Sequence, residues 1–134
     1  MKSILHSIGA VIAGSLAIGI VSFIADFIIS KITPDIFSIA GRSQHPALLA
    51  LMAAYSVAFA AVGGYVTASL APRAPMKHVI ALAVLELMGG AGAAYQAGDT
   101  LPRWFSAVVV ILPVPAILLA GALKSRTSGP SLAR

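Results

Sequence analysis

The sequence predicts an all-α fold, a four-helix transmembrane bundle with both termini cytoplasmic. Three observations predict it. Of the 134 residues, 59% are hydrophobic and 10% are charged, against roughly 25% charged in a soluble domain. A soluble fold of this length must cover its core with polar surface, and this chain lacks the residues to do so. Four apolar segments each reach the roughly 20 residues that carry a helix across about 30 Å of hydrocarbon. They lack strand alternation and are too long for barrel strands, so helices must satisfy their backbone groups in lipid.

The first segment covers 4–30. It is much longer than the roughly 7–15 apolar residues of a secretory signal, and no small-residue cleavage pattern follows it, so an uncleaved first span is expected. "KITPDIFSIAGRSQH" (31–45) is the longest connection, and its "DIFSIAG" part suits a short amphipathic turn at the interface. The second span covers 46–71. In the link "APRAP" (71–75), two prolines discourage a continuous helix. The third span covers 76–97. "GDTLP" (98–102) then turns the chain, with Asp99 or Thr100 expected to cap the fourth span, 103–123. Residues 1–123 thus read as a single transmembrane domain, and "KSRTSGPSLAR" (124–134) as a polar tail expected to be disordered.

The net charge of +5 reflects nine Lys and Arg against four Asp and Glu. These basic residues lie mostly between and after the apolar runs, with few aromatics interleaved, so topology explains them and nucleic acid is not expected as a partner. Six of them (Lys2, Arg73, Lys77, Lys124, Arg126 and Arg134) fall on one side, and three (Lys31, Arg42 and Arg103) on the other. Basic residues favour the cytoplasmic side, which puts both termini inside. There is no cysteine, so disulfides, thiolate metal sites and cysteine nucleophiles are excluded.

Small residues four apart give each helix a face that a neighbour can approach. The first span offers Gly9 with Ala13, Ala10 with Gly14, and Ser15 with Gly19. The second offers Ala60, Gly64 and Ala68, and the third Gly89 with Ala93 and Gly90 with Ala94. Packing within the bundle is the expected use, and a homo-oligomer the alternative.

Glu86 interrupts "AVLELMGG" (83–90). It lies nine residues after Lys77, about 14 Å along a helix axis and close to the bilayer midplane. An ionised carboxylate facing lipid at that depth is disfavoured by several kcal/mol, and protonation relieves much of the cost. Glu86 is therefore expected to face the bundle. Pro113 and Pro115 fall at a similar depth, ten and twelve residues after Arg103. They deprive the carbonyls of Val109 and Ile111 of their usual donors, and a neutral Glu86 could donate to one of them. Tyr55, nine residues into the second span, also matches in depth. Glu86, Tyr55, Pro113 and Pro115 form the candidate buried polar cluster, either a proton or cation relay or a structural bond between the third and fourth spans.

Asp26, nearer the outer end of the first span, is a candidate outer station of such a path, or an ion-pair partner for Lys31, Arg42 or Arg103. His6 and His78 share a depth near the inner surface and are the candidates for haem or metal ligation; interfacial imidazoles are the plainer account, and the sequence calls for no cofactor. Trp104 and Phe105 suit an aromatic belt. No GxSxG, HExxH, phosphate loop or acid pair at matched depth is present, and no enzymatic activity is expected.

"SIGAVIAG" (7–14), "AY" (54–55), "GGYVTASLAPRAPMKH" (63–78) and "LPRWF" (101–105) resemble a group of small bacterial four-span membrane proteins. That resemblance implies a bacterial inner-membrane location with both termini inside. It implies no activity and no functional residue. Small multidrug exporters share the four-span architecture, with their membrane carboxylate in the first helix, whereas the midplane acid here is in the third. The expected role is that of a non-enzymatic membrane protein that packs with itself or with a larger membrane complex as an accessory or structural subunit. The alternative is a proton-coupled small-solute or cation transporter centred on Glu86, and a haem-binding redox subunit is a third.

Overall fold

Helix α1 spans Lys2–Ile32, with Lys31 in its last turn, where a cation suits the partial negative charge of the helix end. The computed structural model describes residues 1–34, 45–71 and 73–127, apart from the side chains of residues 2 and 3. Its 31 residues measure about 46 Å, longer than the hydrocarbon core, so α1 must tilt or project from it. Helix α2, Pro46–Leu70, begins with a proline at the first helical position, where no intrahelical donor is required. Helix α3, Pro75–Ala97, begins the same way. Ala74, immediately before it, takes the left-handed conformation with φ 45°. The expected interfacial turn in "DIFSIAG" lies outside the described residues.

The fourth span is two helices, α4 (Arg103–Ile111) and α5 (Pro113–Thr127). Leu112 between them keeps right-handed helical dihedrals, and its N–H still donates to the Val108 carbonyl at 3.0 Å. The interruption is thus confined to the donors that Pro113 and Pro115 lack. Helix α5 continues past the expected end at Leu123 to Thr127. Lys124 and Arg126 sit in its last turn, and Ser125 donates back to the Gly121 carbonyl at 2.8 Å. The start of the expected disordered tail is therefore helical, and 128–134 lie outside the described residues. Neither Asp99 nor Thr100 caps α4. They form a 3-10 turn, Gly98–Thr100, and Pro102 takes the cap position with no side-chain bond.

All four spans are long and apolar enough to cross a membrane. Helix α2 is central, touching α1, α3, α4 and α5, while α3 touches α1 as well as α4 and α5. Ala60, Ala68, Val79, Leu82, Ala83 and Ile117 form the main core. A smaller cluster of Leu49, Ala53 and Phe105 joins α2 to α4 towards the opposite end. Large apolar side chains such as Ile8, Leu16, Ile20, Phe23, Met88 and Leu119 are exposed. On a water-soluble protein so much apolar surface would be untenable; on a multi-pass membrane protein it is the surface that meets lipid.

The small-residue faces divide in two. Gly14, Gly63, Gly64 and Gly121 are buried where helix backbones come close. Gly14 opposes Gly63 and Thr67, and Gly64 opposes the backbone of Ile117. Ala10, Ala60 and Ala68 are buried beside them. Gly9, Gly19, Gly89 and Gly92, in contrast, have nothing within 4 Å of where a Cβ would stand. Of the seven expected pairs, the three around Gly14 and Gly64 pack within the bundle; Gly9, Gly19 and Gly89 of three others meet no neighbour, and Gly90 of the seventh makes ordinary contact with Val110 of α4.

Candidate functional site

The two acids within the spans are each held by a hydroxyl. Ser15 Oγ on α1 donates to Glu86 Oε1 on α3 at 2.7 Å. The Tyr55 hydroxyl on α2 donates to Asp26 Oδ1 on α1. Both pairs are half-buried. Neither acid pairs with a base among the described residues.

The expected cluster is thus divided. Glu86 faces the bundle, but its partner is Ser15, and Tyr55 belongs with Asp26. Side-chain direction explains the exchange. Helical side chains lean towards their own N-terminus. Helix α2 runs opposite to α1 and α3, so Tyr55 leans towards the end of the bundle where α1 finishes. Asp26 leans down from that end to meet it, while Glu86 leans the other way, towards Ser15. Depth counted along the axis treated Tyr55 and Glu86 as level and missed this divergence. The Tyr55 ring also rests near Phe59, with centroids 5.3 Å apart, which holds its position on α2.

The other expected partners are engaged elsewhere. Lys31 lies over the Phe27 ring at 5.4 Å. Arg103 pairs with Asp99 at 3.8 Å on an exposed surface. Arg42 lies outside the described residues. Asp26 therefore makes no ion pair with Lys31 or Arg103. Its carboxylate is turned into the bundle by Tyr55, away from the interface where those cations are.

Pro113 and Pro115 sit in the first turn of α5, and Glu86 makes its hydrogen bond to α1 and not to the carbonyls before them. Helix α5 meets α3 through Val79, Leu82 and Ile117, all fully buried. This apolar contact leaves the α1 side as the polar side of Glu86. His6 lines a groove with Leu5, Gly9, Ala10 and Leu70. His78 Nδ1 lies 3.2 Å from the Ala74 carbonyl of its own helix. Among the described residues no three His, Cys, Asp or Glu side chains gather into a group that could hold a metal.

The sequence marks Ser15 only as a small packing residue beside Gly19, and Thr67 not at all. Thr67 is fully buried and donates to the Ala10 carbonyl across the α1–α2 contact at 3.2 Å. The signal for Ser15 lay in plain view, because its spacing of eleven residues from Asp26 puts both on one stripe of α1. What this arrangement can do chemically is limited and specific. It can hold two carboxyl groups in a low-dielectric setting, each with a neutral hydrogen-bond donor that tolerates either protonation state. No protein family, curated protein or solved structure matches the chain.

Proposed function

We propose that the chain is a non-enzymatic integral membrane protein that packs, through helices α1 and α3, with itself or with a larger membrane complex. The carrying observation is the uncovered glycines. A glycine in a helix costs about 1 kcal/mol relative to alanine. Within the bundle Gly14 and Gly64 offset that cost by allowing backbones to touch. Gly89 and Gly92 touch nothing within 4 Å, so their use lies in a contact from outside, where small residues let another helix approach closely. The reading is tested by Gly89→Leu and Gly92→Leu. Co-purification in mild detergent should lose an associated copy or partner while thermal stability of the bundle holds. Unchanged association in both variants overturns it.

The proposed setting is a bacterial inner membrane with both termini cytoplasmic. The six-to-three distribution of basic residues supports the orientation, and the four long apolar spans support a membrane. Reporter fusions at the two ends, giving a cytoplasmic signal from both, test it.

A second reading, proton-coupled movement of a small solute or cation, is favoured by one observation. Glu86 and Asp26 are each held by a neutral hydroxyl and not by a base, so protonation does not leave a buried cation unpaired. Proton-driven uptake into liposomes that disappears in Glu86→Gln is the outcome expected of it.

A further inference from the structure

The two ends of the bundle differ in charge. One end is built from the start of α1, the link between α2 and α3, and the last turn of α5. It carries Arg73, Lys77, Lys124 and Arg126, with His6 and His78. The segments that form it, 1–10, 65–80 and 118–127, contain no Asp or Glu. Val79 packs on Gly121, which sets the start of α3 beside the end of α5 and brings Lys77 near the level of Lys124. Lys124 lies over the Tyr65 ring at 5.4 Å. Arg73, Lys77 and Arg126 are exposed and make no ion pair among the described residues. Towards the opposite end, Asp26 and Asp99 accompany Lys31 and Arg103, and Arg103 pairs with Asp99.

A groove of about 330 Å³ lies at the cationic end between α1 and α2, a volume within the roughly 300–1,000 Å³ of ligand sites. Leu5, His6 and Gly9 of α1 and Leu70 of α2 form its sides, and buried Ala10 is its floor. The Thr67 bond to the Ala10 carbonyl fixes the register of the two helices there. Gly14 brings backbones together, whereas a Cβ on Gly9 would meet nothing within 4 Å, so Gly9 leaves the groove open. Arg73 follows Leu70 by three residues, at most about 11 Å of chain, and so places a cation at the polar mouth of an apolar groove.

We infer that this groove holds an acyl chain of an anionic phospholipid whose phosphate lies against the cations of this end, Arg73 and Lys77 foremost. The site goes beyond the packing role of α1 and α3 and does not depend on it, nor on which side of the membrane this end faces. The choice of ligand rests on both of its halves. Cations alone would accept a free phosphate or an acidic protein, and neither fills an apolar groove. The groove alone would take any lipid chain. An amphiphile with a negative headgroup satisfies both, and the membrane around the spans supplies it. The planar fork of arginine suits a phosphate, to which it can donate two parallel hydrogen bonds.

The delipidated protein in mild detergent is titrated with phosphatidylglycerol, with phosphatidylcholine of the same chains, or with inorganic phosphate, and retained lipid is counted by native mass spectrometry. Phosphatidylglycerol should bind about tenfold more strongly than phosphatidylcholine, the worth of one or two cations at an anionic surface. Excess inorganic phosphate should not displace it. Gly9→Leu fills the groove without a clash, so it should lose most of the phosphatidylglycerol while the unfolding midpoint holds. Gly19→Leu, equally open but away from the groove, should change neither. Arg73→Gln combined with Lys77→Gln should erase the preference between the two lipids, and Lys31→Gln should leave it intact. Equal retention of the two lipids by the native protein, unchanged retention in Gly9→Leu, displacement by phosphate, or an equal loss of preference in Lys31→Gln overturns the site. Should Gly9→Leu fail to fold, the paired charge variant and its Lys31→Gln control decide the matter.

Discussion

Replacing Gly64 with alanine tests the packing argument where it is most exposed to failure. The added Cβ would stand 2.9 Å from Ile117 Cα and 3.0 Å from its carbonyl carbon, with the carbonyl oxygen nearer still. Ordinary carbon contacts lie at about 3.5–4.0 Å, so α5 must retreat by more than about half an ångström. The opposing atoms are helix backbone, which cannot swing aside as a flexible side chain can. The same retreat loosens the Gly121–Val79 contact and the core around the fully buried Ile117. Overpacking of this kind costs about 1–3 kcal/mol, and the better helix propensity of alanine returns up to about 1. With rigid backbone as the obstacle, a net loss of about 2 kcal/mol is expected. Gly89→Ala meets nothing within 4 Å and should instead gain up to about 1 kcal/mol. Reversible unfolding in mixed micelles, titrated with a denaturing detergent, reads both. Should Gly64→Ala prove as stable as Gly89→Ala, the α2–α5 contact is not the close backbone approach described.

Three further outcomes follow from the polar pairs and the α2–α3 link. Tyr55→Phe removes the hydroxyl that Asp26 accepts from and should lose about 0.6–1.7 kcal/mol in the same unfolding assay. Glu86→Gln keeps an acceptor for Ser15 and should change stability little, whereas Glu86→Leu leaves the Ser15 hydroxyl without it and should cost about 1 kcal/mol; equal effects from the two would show that the bond contributes nothing. Ala74→Gly relieves a left-handed conformation in a residue with a Cβ and should stabilise the fold by up to about 1 kcal/mol after the entropy of the new glycine is counted, read as a raised unfolding midpoint.

Much of the fold was legible because hydrocarbon is a demanding solvent. The helix limits at Pro46 and Ala97, the start at Arg103 and the interruption before Pro113 all follow from apolar length and proline chemistry. The site was legible only in part. Glu86 stood out by its cost, and its need to face the bundle follows from that cost alone. Its partner did not stand out, because a serine on α1 looks like any other serine until the rotation of α1 about its axis is known. The cap expected at Asp99 or Thr100 failed for a local reason, since Pro102 and the extended Leu101 separate that turn from α4.

By itself the sequence determined where the chain must be helical and which side chains lipid would reject. Those are properties of each segment facing one solvent. Only the tertiary structure decided that Asp26 meets Tyr55, that Ser15 meets Glu86, and which glycines lie between helices and which look outward. Those outcomes depend on the rotation and direction of neighbouring helices, which no segment specifies alone.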